Sequence, residues 1–286
     1  TLFPGQNVYR WVYGESDRLP GLIVDRYGDV ASMHSSCAFY QQHAGLLADI
    51  LMGDFGLAGV RFEHGESSQD YGKVPETFEV TLDGLRMNIA LAGSQKTGLF
   101  LDQRTNMALL KPLVNGRSVL DTHCYVGAWS CTAALNGAAR VHGVDTSGRA
   151  IAAARQNAAL NGVDDRCTFE EADAAVVLTR EERYDVVILD PPALAKSRTQ
   201  TGRALKRYHA LNKDAMAAVN QGGYLITCSC SSFVDREAFL EMLKRASTSA
   251  QRQVWLVDER GAAPDHPVLL SMPETSYLKC AVLRVF

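Results

Sequence analysis

The chain has 286 residues, of which 47% are hydrophobic and 21% are charged, and its formal net charge at pH 7 is -3. These proportions are those of an ordinary globular protein, so intrinsic disorder and a membrane class are both disfavoured. The acidic balance argues against a protein that coats nucleic acid through overall positive charge. Because the length exceeds a typical domain of about 100 to 200 residues, we expect one large core and a smaller module.

The sequence shows no sign of export, membrane insertion or metal binding. No apolar run approaches the ~20 residues that a membrane-spanning helix needs. The seven cysteines are an odd number without paired CxxC spacing, so neither disulfides nor a metal site are expected. In place of an apolar signal core, the N-terminal stretch contains the charged residues Arg10, Glu15, Asp17 and Arg18. We therefore expect a cytoplasmic protein that holds no metal.

Residues 1–92 have the pattern of a small α+β domain rich in hairpins. Two dipeptides between apolar runs predict tight turns, Gly28-Asp29 and Asp83-Gly84. One helical segment, from about residue 40 to residue 52, lies between them. The pattern then changes, and we place a second domain at residues 93–286.

In the second domain, short apolar runs alternate with alanine-rich helical segments. This alternation predicts a parallel sheet covered by helices on both faces, which is a doubly wound α/β fold. The last two runs predict a closing hairpin. The seven predicted strands cover residues 118–121, 141–145, 167–171, 184–190, 222–229, 253–258 and 277–286.

The turn after the first of these strands is the expected ligand site, because open α/β sheets bind ligands at the carboxyl ends of their strands. It reads DTHCYVGAWS and has a single glycine, Gly127, so the G-x-G-x-x-G fingerprint of dinucleotide sites is missing. Asp121 ends the first strand and Asp145 ends the second. A carboxylate after the second strand can accept both hydroxyls of a ribose, which occurs in S-adenosylmethionine as well as in NAD.

Two further stretches bring reactive groups to the same sheet edge. YDVVILDPPALAKS ends an apolar strand at Asp190 and continues into the rigid pair Pro191-Pro192. GGYLITCSCSS carries the thiols Cys228 and Cys230, which point to the same side of a strand because side chains alternate with a period of two. A carboxylate and a thiol are therefore expected to converge at one edge.

Several motifs are spread over the whole chain, namely YGESDRLPGLIVDRYGD, SQKTGLFLDQR, VLDTHCYVGAWS, GVDTS, ARQNAALN, LDPPALAKS, the serine-cysteine-serine strand and DHPVLLSMPETSYLK. Together they resemble the 23S rRNA cytosine-5 methyltransferase family of bacteria. The resemblance implies a Rossmann-like class I methyltransferase with a seven-stranded, mostly parallel sheet, a small α+β domain that contacts the substrate, and S-adenosyl-L-methionine as cofactor. Close members of that family also carry an N-terminal RNA-binding PUA domain, and no PUA segment is recognised in this sequence.

The resemblance also implies roles for the residues at the sheet edge. Cys230, aligned on the serine-cysteine-serine element, would be the nucleophile, with Cys228 as the competing candidate. Asp190 would bind the target base. Ala193 stands where some RNA cytosine methyltransferases have a second cysteine, so another group must remove the carbon 5 proton. The implied cofactor contacts are Lys96, Thr97, Asp102, Asp121, Tyr125, Gly127, Asp145, Asp173, Asp190 and Pro191.

A basic strip follows the Asp-Pro-Pro turn, without an acidic residue between positions 191 and 213. If the substrate is RNA, these cations would neutralise its phosphates. The simpler alternative is a solvated, salt-screened helix face. The predicted RNA contacts in this strip are Lys196, Arg198, Arg203, Lys206 and Arg207.

Three functions stay open at this point. The first is methyl transfer to carbon 5 of a cytosine in RNA, with 23S rRNA as the expected partner, through a covalent cysteine adduct. The second is an N-methyltransferase acting on an RNA guanine, for which Asp190 would suffice and both cysteines would merely pack. The third is a non-catalytic RNA-binding assembly factor. The oligomeric state is also open, with a homodimer among the alternatives.

Overall fold

The computed structural model describes residues 3–91 and 98–286. The chain divides into two compact units. The first contains the residues up to Arg104 together with Ala263–Thr275, and the second contains Thr105–Ala262 and Ser276–Phe286. The boundary predicted between residues 92 and 93 lies outside the described residues. The sequence pattern did not predict that Ala263–Thr275 belongs to the first unit.

The first unit is built on a five-stranded sheet in the order β1-β2-β3-β4-β5, with a separate two-stranded hairpin β6-β7. Only the β3-β4 pair of the large sheet is parallel. The strands are β1 (Val8–Tyr13), β2 (Leu22–Tyr27), β3 (Val30–Ser35), β4 (Gly59–His64), β5 (Ser67–Gly72), β6 (Phe78–Leu82) and β7 (Leu85–Ile89). The helices are α1 (Ala38–Gln42) and α2 (Ala44–Gly53), and α3 (Arg104–Met107) begins at the last residue of the unit's first segment.

Both predicted hairpins are confirmed. The turn between β6 and β7 has φ 51° at Asp83 and φ 88° at Gly84, the left-handed pair that the favoured two-residue hairpin turn requires. The predicted helix is interrupted at His43, which separates α1 from α2. The hairpin β4-β5 was not foreseen, because β5 is almost entirely exposed and polar and so lacks the apolar alternation of a half-buried strand.

The second unit is a seven-stranded sheet in the order β10-β9-β8-β11-β12-β14-β13. All seven predicted strands are present, within a few residues of their predicted ends. They are β8 (Ser118–Thr122), β9 (Arg140–Asp145), β10 (Cys167–Glu171), β11 (Tyr184–Leu189), β12 (Val219–Ser229), β13 (Val254–Arg260) and β14 (Lys279–Val285). The helices are α4 (Ala128–Leu135), α5 (Gly148–Leu160), α6 (Ala174–Leu178), α7 (Thr201–Ala218) and α8 (Arg236–Ser249).

The sheet is parallel from β10 to β12, and β14 runs antiparallel to both of its neighbours. Apolar side chains on these strands are fully buried because helices cover both faces, as Leu120, Val187 and Leu225 illustrate. Chain order reverses on the two sides of β8, since β9 lies on one side and β11 on the other. The carboxyl ends of β8, β9, β11 and β12 therefore meet at a topological switch point, where such sheets bind ligands.

Candidate active site

The loop between β8 and α4 has an unusual backbone. His123, Tyr125 and Gly127 all have positive φ, at 62°, 49° and 84°. A left-handed conformation costs about 1 to 2 kcal/mol for a residue with a side chain, so two such residues in five indicate a loop that is held in place by its surroundings. Strained backbone of this kind clusters at ligand sites.

Neighbouring elements hold this loop in its shape. The Tyr125 N–H donates to Oδ2 of Asp145 at 3.0 Å, and the side-chain amide of the buried Asn157 donates to the Val126 carbonyl at 3.0 Å. A Cβ on Gly127 would lie only 3.0 Å from the Cβ of Ala154, so glycine lets the loop approach α5 closely. The end of β9 and the helix α5 thus shape the turn that follows β8.

Asp121 lies inside the sheet edge, with its side chain fully buried. Burial raises the pKa of Asp121 to about 7, the hydroxyl of Ser130 opposes this by donating to Oδ2 at 2.6 Å, and the charges of Asp190 and Asp145 add to the increase. Three carboxyl groups therefore act on one another where β8, β9 and β11 end. Asp121 supports the loop through Ser130, and its direct contact with a cofactor remains a prediction.

Asp145 is half-buried at the end of β9, in the position predicted to bind a ribose. Its Oδ1 accepts from the Ser147 N–H at 2.9 Å and its Oδ2 accepts from the Tyr125 N–H. A carboxylate has about four acceptor sites, so these two bonds leave capacity for two hydroxyls. Asp173, by contrast, is exposed and caps α6 by accepting from the Ala175 N–H at 2.8 Å. Asp173 therefore has a structural role as the cap of α6, and its contact with the cofactor remains a prediction.

Asp190 follows β11 directly and is half-exposed. The indole Nε1 of the buried Trp129 donates to its Oδ2 at 3.2 Å. The Sγ of Cys230 lies 3.8 Å from the carbonyl oxygen of Pro191, the residue next to Asp190. The structure therefore brings the predicted carboxylate and the predicted thiol to neighbouring strand tips.

A hydrogen-bond cluster joins the two segments that carry these groups. The hydroxyl of Ser231 accepts from the Ala195 N–H at 3.2 Å and lies 3.0 Å from the Tyr208 hydroxyl. All three residues are buried, so these bonds are protected from water. The loop after Asp190 and the turn after Cys230 are thus connected through α7.

The two candidate thiols have different surroundings. Cys228 is fully buried within β12, opposite Cys280 of β14. Cys230 lies one residue beyond the end of β12 and is half-exposed. The strand therefore ends between the two cysteines, and Cys230 is the more accessible nucleophile.

The basic strip is exposed along the start of α7 and the segment before it. No carboxylate within the described ranges lies within 4.0 Å of its five cations, Lys196, Arg198, Arg203, Lys206 and Arg207. Exposed arginines elsewhere, such as Arg180 and Arg245, form salt bridges. The strip is therefore a positive surface without carboxylate partners in the described ranges, and it follows Asp190 in the chain.

Three further residues were predicted to contact the cofactor. Lys96 and Thr97 fall outside the described residues. Asp102 lies in a 3-10 helix of the first unit, Leu101–Gln103, and is buried there.

Several residues that build this site could not be predicted from the sequence. Trp129 and Asn157 lie within quoted motifs, but their partners are far away in sequence and no local pattern identifies them. Ser231 and Tyr208 form the cluster described above. Lys279 is 6% exposed, and a buried lysine next to a strand tip is visible only once β14 is placed beside β12.

Comparison with known proteins identifies the family. A family model described as S-adenosylmethionine-dependent methyltransferase matches residues 63–272. The chain belongs to this family. Ribosomal RNA large subunit methyltransferase I of Shewanella denitrificans is 35% identical over 99% of this chain and 75% of that protein. The same enzyme of Erwinia tasmaniensis is 34% identical over 97% of this chain and 74% of that protein.

A solved structure supports the fold assignment. A Streptococcus mutans protein, described as an S-adenosylmethionine-dependent methyltransferase, has a TM-score of 0.87 with 23% identity, over 98% of this chain and 75% of that chain. The Rossmann-like methyltransferase fold and the strand-rich N-terminal region are thereby confirmed. The methyltransferase family favours both enzymatic alternatives over a non-catalytic assembly factor. Within the described part of the chain, no helix combines the length and apolar character needed to cross a bilayer.

The residues at the sheet edge fit S-adenosylmethionine. Asp145 has acceptor capacity for the ribose hydroxyls, and the buried atoms Asp121 Oδ1 and His123 Nδ1 make no hydrogen bond to any described residue. Buried polar atoms normally have partners, so these two are available to a ligand. The carboxyl groups also favour a positively charged ligand. When bound, the cofactor supplies an electrophilic methyl group on its sulfonium.

Proposed function

We propose that this methyltransferase acts on carbon 5 of a cytosine in RNA, with 23S ribosomal RNA as substrate, through a covalent adduct on Cys230. The observation that carries the proposal is the Sγ of the half-exposed residue Cys230, which lies 3.8 Å from the carbonyl oxygen of Pro191, the residue that follows Asp190. An enzyme that methylates a nitrogen needs no thiol at this position, because nitrogen already offers a lone pair.

The chemistry of cytosine explains why a thiol is needed. Carbon 5 is a poor nucleophile, so the thiolate of Cys230 adds to carbon 6 and makes carbon 5 the nucleophilic end of an enamine. Asp190 binds the base at its exocyclic amine and nitrogen 3, where charge develops as carbon 6 is attacked. After carbon 5 has taken up the methyl group, a base removes the carbon 5 proton, the double bond between carbons 5 and 6 forms again, and the bond between carbon 6 and sulfur breaks. This restores the aromatic ring and the thiolate of Cys230.

The RNA substrate is supported by charge and by the relatives. The exposed cations of the basic strip follow Asp190 in the chain and have no carboxylate partner within the described ranges, so their charge is available to neutralise phosphates. The relatives in Shewanella and Erwinia are named as large-subunit ribosomal RNA methyltransferases. Substrate contact by the first unit and action in the cytoplasm belong to the same proposal.

The decisive experiment combines product mapping with paired cysteine variants. The protein is incubated with 23S rRNA and labelled S-adenosylmethionine, and the methylated nucleotide is identified by mass mapping. We expect 5-methylcytosine from the wild type, none from Cys230→Ala, and product from Cys228→Ala. Cys228→Ala is the matched control because it removes a thiol from the same strand. Calorimetry with S-adenosylmethionine should give the same affinity for all three proteins.

A second measurement tests the covalent step itself. RNA that contains 5-fluorocytosine should trap the adduct, because fluorine cannot leave carbon 5 as the proton does. The wild type should give a protein-RNA species that survives denaturing electrophoresis, and Cys230→Ala should not. Methylated guanine, or full activity in Cys230→Ala, would favour the N-methyltransferase instead.

A further inference from the structure

The buried lysine at the start of β14 lies next to the proposed nucleophile. Lys279 is 6% exposed, and its Nζ donates to the carbonyl oxygen of Ser231 at 2.8 Å and to that of Tyr277 at 2.7 Å. Ser231 immediately follows Cys230, and its hydroxyl belongs to the cluster with Ala195. Lys279 is therefore bonded to the turn that carries the thiol.

This ammonium group lacks an ordinary counter-ion. No carboxylate in residues 3–91 and 98–286 lies within 4.0 Å of its Nζ, although a buried cation is normally paired. Burial lowers the pKa of Lys279 to about 8, and negative charge on Cys230 and then on Asp235 opposes this lowering. The strongest opposing charge is thus the thiolate of the proposed nucleophile.

We propose that Lys279 is a positioning residue that stabilises the thiolate of Cys230, and that it holds the Ser231 carbonyl so that the sulfur keeps its place beside Asp190. This inference rests on the proposed function, since it deepens the role of Cys230. An ammonium group that interacts with a thiolate favours the charged, nucleophilic form of the sulfur.

The other titratable groups around the pair have different effects. Asp235 precedes α8 and acts on Lys279 from the loop after Cys230. Tyr208 interacts with the charge of Cys230 from α7, and burial raises its pKa, so the phenol stays neutral in the range where a thiol titrates. Of Lys279, Asp235 and Tyr208, Lys279 is therefore the group whose charge favours a thiolate.

A purely structural role makes a different prediction. If Lys279 only ties β14 to the turn, then any side chain that donates to the two carbonyls should serve equally well. Lys279→Gln keeps an N–H donor but loses the charge, and Lys279→Arg keeps the charge. These two variants separate the electrostatic role from the structural one, and Lys279→Met removes both.

The test measures the alkylation rate of Cys230 by iodoacetamide as a function of pH, by peptide mass spectrometry and without RNA. All proteins carry Cys37→Ser, because Cys37 is an exposed thiol. We expect the midpoint of the pH profile to move upward by about one unit in Lys279→Gln and Lys279→Met, which makes alkylation near neutral pH about tenfold slower. Lys279→Arg should keep the midpoint of the parent, as should Lys244→Met, which removes an exposed cation from α8.

An unchanged midpoint in Lys279→Gln would overturn the inference, and this variant decides the matter if Lys279→Met does not fold. Melting curves identify folded variants before alkylation. The readout is independent of methyl transfer. If the midpoint shifts while no 5-methylcytosine forms, then the thiolate inference holds and the proposed reaction fails.

Discussion

The indole Nε1 of Trp129 donates a hydrogen bond to Oδ2 of Asp190 across 3.2 Å. Trp129 belongs to the helix after β8, whereas Asp190 follows β11, so the bond connects the loop expected to hold the cofactor with the carboxylate expected to hold the base. Because Trp129 is buried, the bond constrains the direction in which the carboxyl group points.

Replacing Trp129 should therefore slow methyl transfer more than it weakens cofactor binding. A hydrogen bond to a charged group contributes about 1.5 to 3 kcal/mol, so Trp129→Phe should lower kcat by about tenfold or more. Single-turnover kinetics and calorimetry with S-adenosylmethionine separate the two effects. Trp255→Phe, at an exposed tryptophan of β13, is the matched control. A wild-type rate in Trp129→Phe would contradict the positioning role.

Gly127 should be required for cofactor binding because of its close approach to Ala154. Gly127→Ala should weaken S-adenosylmethionine binding by about tenfold, since the new methyl group displaces the loop from α5. Gly162→Ala provides the control. Gly162 also has a positive φ, 64°, but a Cβ there meets nothing within 4 Å, so it carries the backbone strain without the collision. Equal cofactor affinities for the two variants would argue against this account of the loop.

The raised pKa of Asp121 makes a prediction about stability and pH. Its pKa in the folded protein is about 7, above the unfolded value of about 4, so the protonated form is favoured on folding. This contribution to stability is complete below pH 4 and is lost as the pH rises toward 7 and beyond. Asp121→Asn imitates the protonated form at every pH, so its stability should not decrease in this way as the pH rises. The melting temperature of Asp121→Asn minus that of the wild type should therefore increase from pH 4 to pH 8, and a constant difference would contradict the assignment.

The basic strip should determine the salt dependence of RNA binding. Replacing Arg203, Lys206 and Arg207 by glutamine should weaken RNA binding and reduce the slope of log affinity against log salt by about two to three. Binding of S-adenosylmethionine should not change. The control replaces the paired cations Arg180 and Arg245 by glutamine, because their charge is already compensated by Glu170 and Glu241. If both sets of variants change the slope equally, the strip is only a solvated helix face.

Local patterns were sufficient for the architecture of the second unit. Continuous apolar runs identified its seven strands, because parallel strands are buried on both faces, and the acidic residues at their ends indicated the ligand edge. Patterns failed for β5, whose exposed polar sequence shows no alternation. They also could not assign Ala263–Thr275 to the first unit, since that depends on contacts made by residues far apart in sequence.

The candidate site was predictable to a similar degree. Asp190 and Cys230 follow apolar strands, so their convergence could be expected from parallel pairing. The residues that hold Asp190 and Cys230 in place could not be predicted. The contacts of Trp129 with Asp190 and of Lys279 with Ser231 join segments 61 and 48 residues apart, and nothing in the local sequence of either partner indicates the other.

The order of strands in the sheet has a consequence for biosynthesis. Strand β14 lies between β12 and β13, so β13 emerges from the ribosome before the neighbour with which it pairs in the described sheet. The seven-stranded sheet cannot be completed until the chain has been synthesised to about Val285. The same late strand supplies Lys279, so a nascent chain that already contains Cys230 and Asp190 still lacks the lysine that donates to the carbonyl of Ser231.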